Sequence, residues 1–320
     1  MGAYLVRRLI WIPITVILVS VIVFLMVRFI PGNIVDIIVN QLSLSYGGTV
    51  VPRSQIEHTL GLDVPIYVQY ARWIGNIVLH GNLGVSMRGS QNISQTILHR
   101  LPITLELSIL ALIIGVVIGI PIGVYSAARQ DSIGDYIGRS IAIILISIPS
   151  FWIGIMIMIY PSVWWHWSPP VDLIAFTKDP LRNLGTFIIP SIILGTTLAG
   201  SIMRMTRAMM LEVLRQDYTR TAWAKGLSER VIIIRHVLKN ALIPVVTIIG
   251  MQFPYIIGGS VIIERIFVLP GVGSLILEAL KQRDYPMIEG VNLVLSIIVV
   301  FVNLSVDLAY GWLDPRIHYQ

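Results

Sequence analysis

The chain has 320 residues, of which 55% are hydrophobic and only 12% are charged, and its mean hydropathy is +0.81. A soluble domain carries about twice that proportion of charged residues, so lipid must act as solvent for part of the surface. The absence of cysteine excludes disulfides, thiolate metal sites and cysteine nucleophiles. The net charge of +6 is weak support for a nucleic-acid partner, and we expect none, because in a membrane protein it reflects topology.

Six runs are apolar and long enough to cross a bilayer, which requires about 17–25 residues each. They are Leu9–Ile30, Leu105–Val124, Ile141–Tyr160, Thr186–Met203, Ala241–Ile263 and Val291–Tyr310. The first run is too long for a signal peptide and no small-residue cleavage site follows it, so we expect it to be retained. The sequence therefore predicts an all-α, multi-pass protein of the cell membrane with six transmembrane helices.

The distribution of positive charge indicates the orientation of these helices. More than half of the 23 Lys and Arg residues fall in the two termini and in residues 125–140 and 204–240. Cytoplasmic loops are enriched in Lys and Arg, so these segments and both termini are predicted to be cytoplasmic. Two domains follow: residues 1–102, with the first helix and an extracytoplasmic helical segment, and residues 103–320, a five-helix core with the cytoplasmic loop 204–240.

The extracytoplasmic segment has helical signals of its own. Ser54–Glu57 forms a capping box that opens a short helix, which Gly61 ends. Pro65–Leu79 is predicted to be an amphipathic helix, with Tyr67, Tyr70, Trp73, Ile74 and Ile77 on one face. This face suits either the lipid interface or a packing contact with neighbouring helices.

Glycines recur at every fourth position in the second span, at Gly115, Gly119 and Gly123. This spacing lets a second helix approach to backbone contact, which predicts a packing surface. A surface on which helices slide during transport is the functional alternative.

The fifth and sixth spans contain the candidates for a translocation pathway. The fifth carries Gln252 and five helix-breaking residues, Pro244, Gly250, Pro254, Gly258 and Gly259, so we expect it to be bent or partly unwound. The sixth places Asn292, Ser296, Asn303 and Asp307 on one side. These polar groups either bond to other helices or line the pathway. Glu106, in the second span, is either a functional acid or, as we favour, part of an ion pair.

Two external features are candidates for contact with a substrate. An aromatic cluster spans residues 164–170 and is first an interface anchor and second a stacking platform for a peptide or sugar. The sequence Glu264-Arg-Ile-Phe-Val-Leu-Pro-Gly-Val-Gly-Ser, with a helix at Leu275–Lys281, predicts a re-entrant or surface hairpin. Such a hairpin contacts an incoming substrate or its binding protein, or is a structural linker.

The segment Arg220–Pro244, RTAWAKGLSERVIIIRHVLKNALIP, is the most informative part of the chain. It is basic and amphipathic and is predicted to form a helix, a Gly-Leu-Ser turn and a second helix between two spans. It resembles the coupling loop of ABC importer permeases, in the form found in the dipeptide, oligopeptide and nickel branch. The Glu264 sequence, the Arg-Asp-Tyr-Pro sequence at 283–286 and the region around residues 60–89 are also similar to this family.

The resemblance implies a permease subunit that works with a second, homologous permease, two cytoplasmic ATPases and an extracytoplasmic binding protein. It implies that the loop docks on an ATPase through Arg220, Thr221, Ala222, Ala224, Lys225, Gly226, Leu227 and Ser228. The two alanines would keep the docked face thin. Arg220, Lys225 and Arg230 either pair with acidic ATPase side chains or only retain the loop in the cytoplasm.

The sequence has no P-loop motif, so we expect ATP and Mg²⁺ to bind to partner ATPases and this chain to hold no cofactor, metal or catalytic residue of its own. The branch imports peptides, nickel, glutathione or oligosaccharides, and peptide is our preferred substrate. A secondary transporter that acts alone is the alternative of a different class, although no inverted repeat is evident. An intramembrane hydrolase is disfavoured because no GxSxG, HExxH or paired-Asp motif lies on a span.

Overall fold

The computed structural model describes residues 2–29, 63–87 and 91–313, together with the isolated residues 52, 54 and 58. The helices of this part of the chain are α1 Gly2–Arg28, α2 Ile66–His80, α3 Ile93–Ala128, α4 Ile133–Ser147, α5 Ser150–Trp165, α6 Pro180–Leu214, α7 Asp217–Ala224, α8 Glu229–Ile266, α9 Val272–Gln282 and α10 Tyr285–Leu313. Of the capping-box helix expected at Ser54–Glu57 and its end at Gly61, only Ser54 is among the described residues, so this helix stays a prediction.

Five of these helices are long and apolar enough to cross a membrane, namely α1, α3, α6, α8 and α10. The pair α4 and α5 makes a sixth span if the two are counted as one broken helix. The prediction of an all-α membrane protein with six spans is confirmed for the described residues.

The prediction of one continuous third span, Ile141–Tyr160, is wrong. The helix ends at Ser147 and restarts at Ser150, and α4 and α5 are bent by 86° at the break. Pro149 lies at the break. Proline disfavours the helical region for the residue before it, and Ile148 is extended at φ −88° and ψ 122°.

The unwinding expected in the fifth span is not found. α8 passes through Pro244 and Pro254 within an unbroken α-helical stretch, Lys239–Ile266. The irregular part comes earlier, at Ile232–Leu238, where the chain forms a π-helix. A π-helix has a wider repeat than an α-helix, so Ile232 and Val237, five residues apart, are both buried.

The described chain divides into two compact units. The first is built on Arg100–Leu275 and includes the part of α10 from Val299. The second is built from the described parts of Leu9–His99 and from Ile276–Ile298.

The first unit is organised around α6, the most buried of the spans. α3 packs against it through the predicted glycine stripe. A Cβ atom added at Gly119 would lie 2.7 Å from Ile202 Cβ and 3.0 Å from the carbonyl oxygen of Ala199. Gly115 meets Leu198 and Gly123 meets Thr206 in the same way. The stripe is therefore the packing surface that the sequence predicted.

Glycines of α6 complete this close contact from the other side. A Cβ added at Gly195 would lie 2.7 Å from the carbonyl oxygen of Ala111 on α3. One added at Gly200 would lie 2.8 Å from the carbonyl oxygen of Ala142 on α4. The backbone of α6 is thus in direct contact with α3 and α4. Such contacts replace the hydrophobic driving force that lipid does not supply.

The second unit contains the predicted amphipathic helix, Pro65–Leu79, as α2. Tyr70 and Trp73 form an aromatic cluster with Phe24 of α1, with ring centroids 5.5–6.1 Å apart. The Tyr70 hydroxyl is 2.8 Å from Ser20 Oγ. Packing therefore accounts for these two aromatic residues, whereas Tyr67 is exposed.

An ion pair at the end of α1 also stabilises the second unit. Arg28 Nη1 donates to Glu289 Oε1 of α10 at 2.8 Å, and Arg28 Nε donates to Gln69 of α2 at 3.1 Å. The guanidinium lies 4.5 Å from the ring centroid of Phe24. Three helices of this unit therefore meet at the partly buried guanidinium of Arg28.

We predict that Gly119→Val lowers stability, because the added atoms overlap Ile202 and the carbonyl of Ala199. Overpacking of this kind costs about 1–3 kcal/mol. The matched control is Gly185→Val on α6, where an added Cβ has no atom within 4 Å. The stability of both variants is measured as the midpoint temperature of thermal aggregation in detergent. An equal decrease of this temperature in both variants would contradict the packing account.

Candidate functional site

The predicted coupling loop folds as a helix, a turn and a second helix, as its sequence indicates. α7 is amphipathic and buries two residues, Thr219 and Ala222, one helical turn apart. The Thr219 hydroxyl donates to the carbonyl oxygen of Val213 at 3.0 Å, which ties α7 to the end of α6. We call Asp217–Ser228 the docking segment.

The turn after α7 depends on Gly226, which has φ +74°. The amide of Gly226 donates to the carbonyl of Trp223 at 2.9 Å, and the amide of Leu227 donates to that of Ala222 at 3.4 Å. These two bonds form a Schellman motif, in which the left-handed residue is usually glycine. The sequence thus sets a sharp turn at this position.

An apolar cluster lies beneath the docking segment. Ala222 packs there with Met210 and Val213 of α6 and with Ile232 and Val237 of α8. Because α6 and α8 are both membrane-spanning, the docking segment is attached directly to two spans. A displacement of the segment must therefore move these helices or break the cluster.

The outer surface of the docking segment contains seven of the eight residues predicted to dock. They are Arg220, Thr221, Ala224, Lys225, Gly226, Leu227 and Ser228, and all are exposed. Ala222 is only 7% exposed. The prediction that Ala222 lies on the docking face is wrong, since the i, i+3 spacing from Thr219 turns it inward.

Trp223 was missed by the sequence prediction although it is the largest side chain on this surface. It is 47% exposed, and Leu227 beside the turn is 37% exposed. Large apolar side chains on an otherwise polar segment are typical of an interface. Arg220 pairs with Asp217 over 3.5 Å, while Lys225 and Arg230 are exposed near the turn.

A buried ion pair joins helices at the end of the first unit that carries the docking segment. Both nitrogens of the Arg207 fork, Nε and Nη2, donate to Asp135 at 2.7 Å. The Ser126 hydroxyl and the Asp131 amide also donate to this carboxylate. Asp135 is fully buried at the start of α4, so the pair links α3, α4 and α6. The sequence marked these residues only as loop charges.

Gln252, a predicted pathway residue, lies beside a cavity of about 250 Å³. Its other polar walls come from Ser150 at the start of α5, from Thr197 and Ser201 of α6 and from Tyr255 of α8. The Thr197 hydroxyl is buried and has no partner within the described structure. The break at Pro149 matters here, because it starts α5 at the cavity wall.

The other predicted pathway residues are not brought to this cavity. Asn292 and Ser296 belong to the second unit, and the Asn292 side chain donates to the carbonyl of Ile288 in its own helix at 2.9 Å. Asn303 is exposed on α10 in the first unit. Their role in a pathway stays a prediction.

Glu264 lies inside the structure and not on a surface hairpin. Its carboxylate accepts hydrogen bonds from the Thr104 hydroxyl at 2.7 Å and the Ser274 amide at 2.8 Å. Thr104 Oγ1 also accepts from the Val272 amide at 2.8 Å. The carboxylate thereby satisfies amides at the start of α9. Gly271 and Gly273 are needed because a Cβ at either would meet this carboxylate.

The last two candidates are Glu106 and the aromatic cluster at residues 164–170. The ion pair favoured for Glu106 is not present among the described residues, and its Oε1 is buried without a hydrogen-bond partner. Trp164 and Trp165 are exposed and contact each other, with ring centroids 6.1 Å apart. This exposure fits an interface anchor and a stacking platform equally.

Comparison with protein families identifies the chain. Residues 119–319 match the family described as the binding-protein-dependent transport system inner membrane component. Residues 1–108 match the N-terminal family of the same transport system membrane component. The chain belongs to this family. It is a multi-pass inner membrane permease of an ABC importer, and its relatives are transport subunits.

Two relatives match over nearly their whole length. The dipeptide transport system permease protein DppB of Escherichia coli K12 is 37% identical over 340 residues, which covers 99% of both chains. The di/tripeptide transport system permease protein DppB of Pseudomonas aeruginosa is 35% identical and covers 94% of both.

The fold is similar to that of a solved transporter. The inward-facing MetNI methionine ABC transporter has a chain that superposes with a TM-score of 0.56 at 18% identity. The match covers 69% of this chain and 97% of that chain.

Proposed function

We propose that this chain is one of two homologous permease subunits of an ATP-driven peptide importer, and that its docking segment binds a cytoplasmic ATPase. An extracytoplasmic binding protein delivers the substrate, and the two permeases together form the pathway. The observation that carries the proposal is the surface of the docking segment, which is apolar and basic outside and anchored to two spans inside.

The chemistry of the docking segment supports a protein partner. Trp223 and Leu227 supply apolar area that water covers in the isolated chain. Lys225 and Arg230 supply charges around it, which suits an acidic groove on the ATPase. The narrow inner contact, two residues of α7, leaves most of this helix available for docking.

The mechanism we propose needs no chemistry in this chain. ATP binding draws the two ATPases together, and each carries its docking segment with it. The cluster of Ala222, Met210 and Ile232 passes this displacement to α6 and α8. The bundle then exchanges outward and inward access, and the free energy comes from the difference in ATPase affinity for the two states.

Peptide is the substrate that the relatives support, since those cited above are named for dipeptide and di/tripeptide transport. The cavity beside Gln252 agrees with this choice, because its polar groups are neutral hydroxyls and one amide. Such groups match the donors and acceptors of a peptide bond.

We predict that Gly226→Trp reaches the membrane but loses ATPase docking. A Cβ added at Gly226 meets no atom of this chain within 4 Å, but the positive φ strains a bulky residue at the turn, and the indole ring also obstructs the partner. Gly226→Asn is the matched control, because asparagine tolerates a positive φ and is small. Co-purification with the ATPases measures docking, and retention by the Trp variant at the control level would refute it.

For the substrate, we predict ATP-dependent uptake of a labelled dipeptide by the complete importer in proteoliposomes. Unlabelled dipeptide should compete, whereas nickel, glutathione and an oligosaccharide should not. If one of those three competes with the dipeptide, that compound and not peptide is the substrate. Uptake by this chain alone without ATP would instead favour the secondary transporter.

A further inference from the structure

A second cavity, of about 350 Å³, lies between α3, α4 and α6 in the first unit. Ile122, Ala142, Ile143 and Met203 form apolar walls, and the side chains of Arg139, Arg204 and Arg207 line the same space. The cavity therefore combines a hydrocarbon surface with three guanidinium groups. Nothing in the transport mechanism above uses it.

Of these three arginines, only Arg207 has a carboxylate partner in the part of the chain that the structure describes. Arg207 is committed to Asp135 by two hydrogen bonds of 2.7 Å. Within the described residues no carboxylate lies at ion-pair distance from Arg139 or Arg204. The ring of Tyr136, 5.6 Å from the Arg139 guanidinium carbon, is a weak partner. An anion is the ligand that this charge balance favours.

The depth of the two arginines points to a lipid anion. Arg139 stands two residues before the apolar run that starts at Ile141, and Arg204 follows directly on the run that ends at Met203. Both therefore lie where the hydrocarbon layer meets the phosphate layer. Ile143, on the cavity wall, is 60% exposed, which makes it accessible to an acyl chain.

We propose that this cavity binds one anionic phospholipid. Arg139 and Arg204 hold its phosphate, since the planar guanidinium fork matches phosphate oxygens. An acyl chain lies along Ala142 and Ile143. The lipid fills the space that the walls of α3, α4 and α6 enclose.

The test is lipid retention by the complete importer, purified after exchange between vesicles of phosphatidylcholine with and without phosphatidylglycerol. Native mass spectrometry counts the bound lipids. Wild type should retain phosphatidylglycerol in preference to phosphatidylcholine. Arg139→Gln with Arg204→Gln should lose this preference by about 25-fold, at about five-fold per basic residue. The matched control is Arg265→Gln, which replaces an exposed arginine at the carboxyl end of α8. This variant should retain the wild-type preference for phosphatidylglycerol.

A measurement on the wild-type importer needs no variant. Photoactivatable phosphatidylglycerol should label residues of α4 and α6 that line the cavity, and millimolar inorganic phosphate should not prevent this. Labelling only elsewhere, or equal retention by the double variant, would overturn the proposal. If inorganic phosphate displaces the labelled phosphatidylglycerol, the arginines bind a soluble anion and not a lipid, which overturns the proposal. Crosslinking of Arg139→Cys to the second permease would place a subunit interface there, which also overturns the lipid site.

Discussion

The close contact between the backbones of α3 and α6 is the constraint on which the rest of the first unit depends. Gly119 and its neighbours admit Ile202 and the carbonyl of Ala199, and Gly195 admits the carbonyl of Ala111. Helices in lipid gain little from burying apolar surface, so contact at this distance supplies the attraction. Glycine contacts on both sides hold the backbone of α6 directly against α3 and α4. The docking segment packs on the end of α6 through Ala222, so a displacement of the segment acts directly on this span.

Buried polar groups fix the two ends of the same unit. Asp135 and Arg207 join α3, α4 and α6 near the docking segment, and Glu264 joins Thr104 to the start of α9. A buried charge is costly unless it is fully bonded, and breaking such a pair costs about 3–5 kcal/mol. Each of these carboxylates accepts several hydrogen bonds. They specify how helix ends meet, which apolar packing alone does not.

Much of this architecture could be predicted from local patterns. Continuous apolar runs predicted the spans, the four-residue glycine repeat predicted the α3 contact, and Gly226 predicted the turn of the docking segment. The sequence prediction failed where the outcome depends on a distant partner. Ala222 is buried because it packs with apolar side chains of α6 and α8. Glu264 is buried because its carboxylate accepts a hydrogen bond from an amide at the start of α9. The break at Pro149 was a local signal that the apolar run concealed.

Under the proposed function, the outer face of the docking segment, and not its inner face, binds an ATPase. The chain has no cysteine, so Trp223→Cys can be labelled alone with a membrane-impermeant maleimide in inverted vesicles. We expect rapid labelling of the permease without ATPases and strong protection once they are assembled. Ile133→Cys, an exposed residue at the start of α4, should be labelled equally in both states. Equal labelling of Trp223→Cys with and without the ATPases would contradict the account.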